Sequence, residues 1–324
     1  MNLHLSISRR YDQIRAMTYI RLLLGMFAAM VMGAGLSACS NTADPVQLDT
    51  ASEGKPSLWK VTGTRPEQTG TAYMFGTIHI LPKDVNWRTP LLETAISQSD
   101  ELIIEVLGLE DTVGTAKIFT KLAISPDQPE IETRVKPSLR ADLNSVIDKS
   151  KIPTFALNRM ESWAAALSLA SAQSSNLGLD ANEGVEKKLV AQFGKLKKPI
   201  VGLETVEQQL GYFDTLPEMQ QRAMLTSVVE EAADAKTSFE DLFNAWISGD
   251  GDAIVEISNT GILEDPETRE KLLVARNRDW DEQLDRKLQK PGTYFVAVGT
   301  AHLVGPDAVQ VMLEKRGYKI EKIQ

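Results

Sequence analysis

The sequence predicts an α/β or α+β fold in which a central β-sheet core carries many flanking helices. Short apolar runs of the kind that form buried strands stand near both ends of the globular part, at residues 58–61 and 294–298. Helical spacing of apolar residues fills most of the chain between residues 160 and 288, and an apolar break at residues 199–203 adds an internal strand. Strands at both ends with helices between them are typical of layered domains built around a sheet.

The predicted strands are short, apolar and mostly bounded by turn-forming residues. They comprise residues 58–61, 72–76, 102–104, 154–157, 199–203 and 294–298, with residues 318–323 as a last edge strand. The run Leu-Ile-Ile at 102–104 suits a strand that is covered on both faces, because no polar residue interrupts it.

The predicted helices comprise residues 87–97, 137–147, 163–172, 183–193, 205–213, 217–232, 238–247, 267–288 and 306–316. Pro137 and Pro306 suit the first turn of a helix, where the missing backbone N–H does no harm. Gly317 suits a C-terminal stop. Trp163 and Trp246 lie in apolar helical stretches, so we expect them in the core.

Composition and charge argue against two classes of protein. Hydrophobic residues make up 43% of the 324 and charged residues 24%, which is ordinary for a globular chain and unlike a disordered one. The net charge of the full chain is −9. Residues 1–38 contain four arginines and one acidic residue, Asp12, and so carry a charge of +3. Residues 39–324 therefore carry −12 (−9 minus +3). An acidic body predicts no nucleic acid partner, because phosphate binding needs a basic surface.

The N-terminus has the features of a bacterial lipoprotein signal peptide. An apolar run at residues 22–36 follows Arg21 and is too short to span a bilayer comfortably. Leu-Ser-Ala-Cys at residues 36–39 matches the lipobox pattern, which implies cleavage before Cys39 and a lipid on its thiol. Cys39 is the single cysteine, so no disulfide forms within the chain.

This N-terminus also predicts the domain organisation and the location. The organisation is a signal peptide at residues 1–38, a flexible polar tether at 39–56 and one globular domain at 57–324. Translation starts at either Met1 or Met17. Ser40, rather than an aspartate, follows the cysteine, which in the usual sorting pattern favours the outer membrane over the inner one. We therefore expect a periplasm-facing protein that its lipid holds to the outer membrane.

Two distant segments of the chain share one motif. Residues 73–82 (YMFGTIHILP) and 294–306 (YFVAVGTAHLVGP) each run from an apolar strand into Gly-Thr-x-His, then to an aliphatic residue and a proline. Their histidines, His79 and His302, are the only ones after Cys39. Glycine at a strand end permits close backbone approach, and threonine can fix the turn.

The two strand–Gly-x-x-His units predict one shared site. Each histidine emerges at the carboxyl end of its strand, where open α/β sheets place their sites. Neutral imidazole is the commonest metal ligand and a natural general base near neutral pH. We therefore expect His79 and His302 to form one active or metal-binding site, against the alternative of two hydrogen-bonded packing residues.

These motifs resemble the TraB/GumN family, which is related to the Tiki metalloproteases and more remotely to erythromycin esterase and ChaN-like proteins. Further stretches that fit the family pattern are residues 100–106 (DELIIEV), 178–180 (GLD), 198–205 (KPIVGLET) and Arg276-Asn277 with Trp280. The resemblance covers residues 59–324 and implies a metal-dependent peptidase. Cobalt or manganese would fit the relatives, whereas zinc fits the ligand types equally well.

Two carboxylates are candidates for the site. Glu105 ends an apolar strand, so it can complete a metal site with His79 and His302 or activate water. The alternative is an ordinary strand end at the surface. Glu204 also follows an apolar strand and is the second candidate catalytic carboxylate, unless it only opens a helix, where the helix dipole favours an acid.

Three further polar residues have two interpretations each. Asp180 either orients a histidine by a hydrogen bond or, more simply, caps the helix that follows it. Arg276 either stabilises an oxyanion or binds a substrate carboxylate, or it forms a salt bridge on a charged helix. Asn277 shares these alternatives as its neighbour.

The leading hypothesis is a metal-dependent hydrolase, with peptides or proteins as substrates and a lipid at Cys39 as its membrane anchor. The competing hypotheses are a metal-free esterase that uses a histidine as general base, and a non-enzymatic lipoprotein that binds a peptide, a polysaccharide or haem. No His-Glu-x-x-His, Gly-x-Ser-x-Gly or Walker motif occurs in the chain, which argues against ordinary zincins, serine hydrolases of the elbow type and P-loop enzymes.

Overall fold

The computed structural model describes Val46, Leu48 and residues 54–324. Within these residues six strands form one mixed sheet, as the α/β prediction requires. The strands are β1 (Leu58–Thr62), β2 (Gly70–Thr77), β3 (Glu101–Leu107), β4 (Ile200–Thr205), β5 (Gly292–Gly299) and β6 (Lys319–Lys322). Their spatial order is β4-β3-β5-β2-β1-β6.

The four strands β4, β3, β5 and β2 run parallel to one another. Strand β1 pairs antiparallel with β2 and with β6, and β6 is the edge strand on that side of the sheet. Because the carboxyl ends of parallel strands meet at one edge, the ends of β2, β3, β4 and β5 come together there. The four strand ends that carry or precede candidate site residues therefore lie at the same edge of the sheet.

Helices cover both faces of the sheet and build a separate helical layer. They are α1 (Pro90–Gln98), α2 (Thr112–Ala123), α3 (Arg140–Ser150), α4 (Thr154–Leu157), α5 (Ser162–Asn176), α6 (Val185–Lys195), α7 (Val206–Asp214), α8 (Glu218–Glu230), α9 (Ala235–Ser248), α10 (Gly251–Ser258), α11 (Pro266–Arg269), α12 (Ala275–Leu288) and α13 (Val309–Lys315). A π-helical turn, Glu270–Val274, joins α11 to α12. Short 3-10 turns include Ala181–Glu183, Gly261–Leu263 and Thr300–Leu303.

The strand predicted at residues 154–157 is wrong, because these residues form the single helical turn α4. Pro153 fixes the backbone at the start of the turn, and the Asn158 N–H donates to the Thr154 carbonyl at 2.9 Å. Phe155 is 73% exposed, so the apolar run does not mark a buried strand.

Helices α2 and α10 were not predicted. Each begins after an aspartate whose side chain accepts from a backbone N–H of the first turn: Asp111 from Gly114, and Asp250 from Ala253. These N-cap residues are visible in the sequence, but α2 buries little apolar surface and so lacks the periodic signal. The last helix also begins later than predicted, at Val309 rather than at Pro306.

The sheet separates two apolar layers. Phe75 and Phe295 pack on one face with Trp246, whereas Met74 and Val296 of the same strands pack on the other. A third cluster, centred on Trp163 of α5, holds the helical layer together. Trp163 and Trp246 are both fully buried, as predicted.

The described part of the predicted tether lies against the domain. The Val46 N–H donates to the Leu177 carbonyl at 3.3 Å, and the Lys55 N–H donates to the Ile247 carbonyl at 2.7 Å. The predicted signal peptide at residues 1–38 and the predicted lipid attachment at Cys39 lie outside the described residues. Among the residues that are described, no helix is both long enough and apolar enough to cross a membrane.

Candidate active site

The two Gly-Thr-x-His motifs lie side by side, because β2 and β5 are adjacent parallel strands with Thr77 opposite Gly299. Gly76 is needed for this approach: a Cβ there would lie 2.7 Å from the Thr300 hydroxyl and 3.1 Å from the Thr300 Cα. The backbone of the first motif therefore packs directly against the second motif. Trp246 supports the arrangement by donating its indole N–H to the Gly76 carbonyl at 2.8 Å.

His79 is buried beside a carboxylate from helix α6. Its Nδ1 lies 2.6 Å from Glu186 Oε1, and the Thr77 hydroxyl donates to the same oxygen. Burial alone would lower the pKa of His79, but the Glu186 and Glu105 carboxylates outweigh it and raise that pKa to about 9. In the absence of a ligand, His79 is therefore a cation at neutral pH.

His302 has a different environment at the equivalent position. Its Nδ1 lies 2.5 Å from Asn277 Oδ1, and its Nε2 lies 3.4 Å from Arg276 Nη1. The ring also packs on Trp280, with the ring centres 4.3 Å apart. Burial and the nearby guanidinium lower the pKa of His302 to about 3, against an opposing effect of Glu105. His302 is therefore neutral at neutral pH.

Glu105 lies between the two histidines at the end of β3. Its Oε1 accepts from the Gly299 N–H at 2.5 Å and lies 4.0 Å from His302 Nε2. Its Oε2 accepts from Arg276 Nη2 at 3.1 Å and from Gln209 Nε2 at 3.4 Å. Burial would raise the pKa of Glu105, but His302 and Arg276 outweigh it and lower that pKa. The carboxylate is thus ionised and only 1% exposed.

Arg276 connects the two carboxylates that the sequence singled out. Besides its bond to Glu105, it donates from Nε and Nη2 to the two oxygens of Glu204, at 2.7 and 3.0 Å. Trp280 adds a third donor to Glu204, at 2.9 Å. Burial raises the pKa of Glu204 in spite of these donors. The two-point geometry fixes the guanidinium plane.

Asn277 orients His302 and is itself held. Its Oδ1 faces the imidazole, and its Nδ2 donates to the Asp307 carbonyl at 2.7 Å. The amide oxygen can only accept, so it favours the tautomer of His302 with its proton on Nδ1. The Nε2 of His302 then carries a lone pair, which faces Arg276 Nη1 at 3.4 Å.

We use the term polar cluster for His79, Glu105, Glu186, Glu204, Arg276 and His302. One of its six members, Glu186, was missed by the sequence analysis. Asp180, which the sequence analysis proposed, lies outside the polar cluster. The Asp180 carboxylate accepts from the Asn182 N–H at 2.8 Å and caps the short turn 181–183. Gln209 of α7, which is fully buried against Glu105, was also missed.

The sequence does contain weak signals for the two missed residues. Glu186 stands on the buried face of α6 together with Val185, Leu189 and Phe193. Gln209 stands between buried residues of α7. A polar residue on an apolar helix face indicates a buried polar partner, although the sequence does not say which one.

Two imidazoles and a carboxylate, the side-chain types of this site, are among those that bind divalent metal ions in proteins. A Cβ built on Gly299 would lie 2.8 Å from Glu105 Oε1, 3.5 Å from His79 Nε2 and 3.6 Å from His302 Cδ2, so these three side chains surround a point that only glycine leaves open. Both imidazoles have Nδ1 placed against another acceptor, which is the arrangement of histidines that bind metal through Nε2. Among the described residues, no three or more His, Cys, Asp or Glu side chains are arranged so that they could hold a metal ion as they stand.

The net charge of the polar cluster also suits a positively charged ligand. Within the polar cluster of the described structure, Glu105 and Glu204 contact the Arg276 guanidinium, and the third buried carboxylate, Glu186, contacts His79. When both imidazoles are neutral, the cluster therefore carries two uncompensated negative charges. Buried charges are normally paired, and a divalent cation or a proton on His79 would reduce this imbalance.

The fold and the polar cluster define an α/β protein with two histidines and several carboxylates at the carboxyl ends of its parallel strands. Residues 57–322 match the TraB/PrgY/gumN family, and the chain belongs to that family. This agrees with the resemblance of the motifs and covers nearly the whole described domain.

The relatives with similar sequences are described as uncharacterised proteins. The chain is 24% identical over 244 residues to the uncharacterised protein YbaP of Escherichia coli K12, which covers 74% of this chain and 87% of that protein. It is 21% identical over 298 residues to an uncharacterised protein of Treponema pallidum, which covers 87% of each chain. No solved structure matches this chain.

Proposed function

We propose that this protein is a metal-dependent hydrolase that cleaves peptides. The observation that carries the proposal is the convergence of His79, Glu105 and His302 on the open point at Gly299. The three side chains are buried, and two of them come from opposite ends of the chain. A packing role for two imidazoles does not require a carboxylate between them or a glycine that keeps the point open.

In this proposal His79, His302 and Glu105 hold a divalent cobalt, manganese or zinc ion. The ion, when bound, supplies Lewis acidity toward a carbonyl and makes nearby water more acidic. Because ligand histidines must be neutral, His79 gives up its second proton on binding, and the Glu186 carboxylate keeps the Nδ1 proton in place.

Arg276 and Glu204 have complementary roles in this proposal. Arg276 Nη1 faces His302 at 3.4 Å, so the guanidinium lies beside the place where a carbonyl would bind. It is suited to stabilise negative charge that develops on the carbonyl oxygen. Glu204 makes a two-point contact with that guanidinium and so positions it rather than acting on the substrate itself.

The decisive experiment is metal content by mass spectrometry on the full chain, purified without chelator or histidine tag. The wild type is expected to bind close to one cobalt, manganese or zinc ion, and His79→Ala, His302→Ala and Glu105→Gln are each expected to lose it. Glu207→Gln is the matched control, since Glu207 is exposed and pairs with Lys121. A wild type that stays metal-free after incubation with each ion contradicts the proposal.

A metal-free esterase is the second candidate function, and the orientation of His302 favours it. Its Nδ1 faces Asn277, so Nε2 is the nitrogen that accepts a proton, and its pKa of about 3 makes it a weak base. Ester hydrolysis that persists in excess chelator and disappears in His302→Ala would support this candidate over the first.

We also propose that a lipid on Cys39 holds the protein at the periplasmic face of the outer membrane. The support is the lipobox at residues 36–39. Intact-mass analysis is expected to show an N-terminal acylated cysteine, and Cys39→Ser is expected to abolish acylation and membrane fractionation. An unprocessed chain that still fractionates with membranes contradicts this part.

A further inference from the structure

The structure also assigns a specificity pocket, which we propose takes one uncharged aliphatic or aromatic side chain of the peptide, next to the bond that is cleaved. This inference rests on the proposed peptidase function. It concerns a set of residues outside the polar cluster, none of which the sequence motifs include.

The pocket opens directly from the polar cluster. Its far wall is lined by Phe213, Leu242, Ile257, Ile262, Leu263, Leu272 and Leu273. Its near end is formed by the polar residues His79, Glu105, Arg276 and His302 together with Gly299. The cavity has a volume of about 60 Å³, which is room for one small apolar group. A group placed against the apolar wall is therefore adjacent to the point where the three proposed ligands converge.

The apolar wall comes from helical segments that lie between β4 and β5 in the sequence. Leu242 belongs to α9 and Ile257 to α10, and the 3-10 turn 261–263 supplies Ile262 and Leu263. Phe213 belongs to α7, and the π-helical turn 270–274 supplies Leu272 and Leu273. Irregular helical turns of this kind are frequent at functional sites.

The π-helical turn connects the pocket to the polar cluster. Leu272 lines the pocket, and its backbone carbonyl accepts from Arg276 Nη1 at 3.1 Å. One turn of helix therefore contributes both a side chain to the pocket wall and an acceptor that fixes the guanidinium.

The wall selects against charged side chains. Each of its seven residues is at most 9% exposed, so a group that enters leaves water completely. The Ser258 hydroxyl is the polar group that α10 contributes to the lining, and no ionised side chain stands on the far wall of this described pocket. An ammonium or carboxylate there would lose its hydration without a partner, whereas an aliphatic or aromatic group gains from burial.

The first test maps cleavage sites in a peptide library with the cobalt-loaded full chain and mass spectrometry. Leucine, isoleucine, valine, methionine or phenylalanine is expected on one side of the cleaved bond, at least about tenfold enriched over aspartate, glutamate, lysine and arginine, as an apolar pocket can discriminate. Enrichment of a charged residue, or cleavage without any side-chain preference, overturns the inference and leaves the proposed function standing.

Two variants test the wall itself. Ile262→Phe fills the pocket and is expected to lower kcat/KM for substrates with a large apolar side chain by about 10–100-fold, with little effect on substrates with alanine there. Leu263→Ala enlarges it and is expected to shift preference from leucine toward phenylalanine. Met219→Ala is the matched control, because Met219 is apolar but 78% exposed and lies outside the pocket. Thermal unfolding of each variant identifies any that fails to fold.

A binding measurement separates failure of this inference from failure of the proposed function. Methyl NMR on the metal-free full chain follows Ile257, Ile262, Leu263 and Leu272 during titration with N-acetyl-leucinamide, and in parallel with N-acetyl-lysinamide. Saturable shifts with the leucine compound alone support the pocket even if no peptide is ever cleaved. Equal shifts, or none, with both compounds overturn it.

Discussion

His79 and His302 stand in the same motif on adjacent parallel strands, yet their environments are opposite. His79 lies beside Glu186, which raises its pKa to about 9 against the effect of burial, whereas burial and the neighbouring Arg276 lower the pKa of His302 to about 3. At neutral pH the metal-free protein therefore holds one imidazolium and one imidazole about the same carboxylate, Glu105. Repetition of a motif has produced two positions with different proton affinity.

The difference arises from the helices rather than from the strands. Helix α6 brings Glu186 to the first motif, and helix α12 brings Arg276 and Asn277 to the second. Pairs of titratable groups whose pKa values are pushed apart are typical of acid–base sites. This difference between the two histidines can be tested by substituting, one at a time, the residues that surround them.

The largest effect is expected for Arg276→Met. Loss of the guanidinium leaves Glu105 and Glu204 buried without their cation, which is expected to lower the free energy of unfolding by about 3–5 kcal/mol. Urea unfolding measures this change in the free energy of unfolding. Adding Glu204→Gln is expected to recover part of the loss.

The matched control is Arg278→Met, which removes an exposed pair with Glu270 and is expected to cost at most about 1 kcal/mol. If the Arg276 and Arg278 variants lose the same small amount, Arg276 does not hold the polar cluster together.

The next effect concerns the two motif glycines. Gly76→Ala forces a Cβ against the backbone of Thr300 and is expected to destabilise the fold by about 1–3 kcal/mol. Gly299→Ala places its Cβ at the point where the proposed ligands converge, so it is expected to abolish metal binding with a smaller loss of stability. Calorimetry and metal analysis of both variants check this; retained metal in Gly299→Ala is incompatible with the proposed site.

A third prediction compares the acceptors of the two imidazoles. Glu186→Gln removes the negative charge beside Nδ1 of His79, and Asn277→Ala removes the oxygen that faces Nδ1 of His302. Each is expected to weaken cobalt affinity by about 10–100-fold. Cobalt titration followed by visible absorption measures the affinity. Unchanged affinity in both variants would show that the histidines are not oriented from Nδ1. Gln209→Ala serves as the comparison variant, because Gln209 contacts Glu105 and neither histidine ring.

The smallest effect is in the pH dependence of stability, measured with chelator present. The pKa of His79 rises from an ordinary 6.5 to about 9 on folding, so its stabilisation is complete below pH 6.5 and is lost as the pH rises through 9. The pKa of His302 falls from 6.5 to about 3, so its contribution is present above pH 6.5 and is lost as the pH falls toward 3.

Single substitutions separate these two arms of the pH profile. His79→Gln is expected to flatten the alkaline arm of a Tm-against-pH curve, and His302→Gln the acid arm. Identical profiles for the two variants would mean that the histidines do not differ in proton affinity.

The sequence predicted most of the residues that meet at the site. His79, Glu105, Glu204 and His302 all stand at or just after the ends of predicted strands, and parallel strands bring such ends to one edge. Strand ends can be recognised from apolar runs alone, so this part of the geometry needs only local information.

The residues that helices contribute were harder to predict. Glu186 and Gln209 reach the polar cluster because α6 and α7 rotate one face toward the sheet, and that rotation depends on packing across the whole domain. The placement of Asp180 shows the same limit, since its spacing suited either a cap or a histidine partner and the structure gives it the cap. The pocket wall has no motif at all, because any aliphatic residue of suitable size can form it.

Strand β5 is one of the last elements to be synthesised, yet it lies in the centre of the sheet between β3 and β2. The bond from the Gly299 N–H to Glu105 spans 194 residues. At about 5–20 residues per second, a ribosome needs roughly 10–40 s to make that stretch. During this time β3 and β2 have no partner between them, and His79 has no second histidine. The hydrolytic activity proposed for this chain is therefore unavailable to the nascent polypeptide and arises only when β5 has joined the sheet.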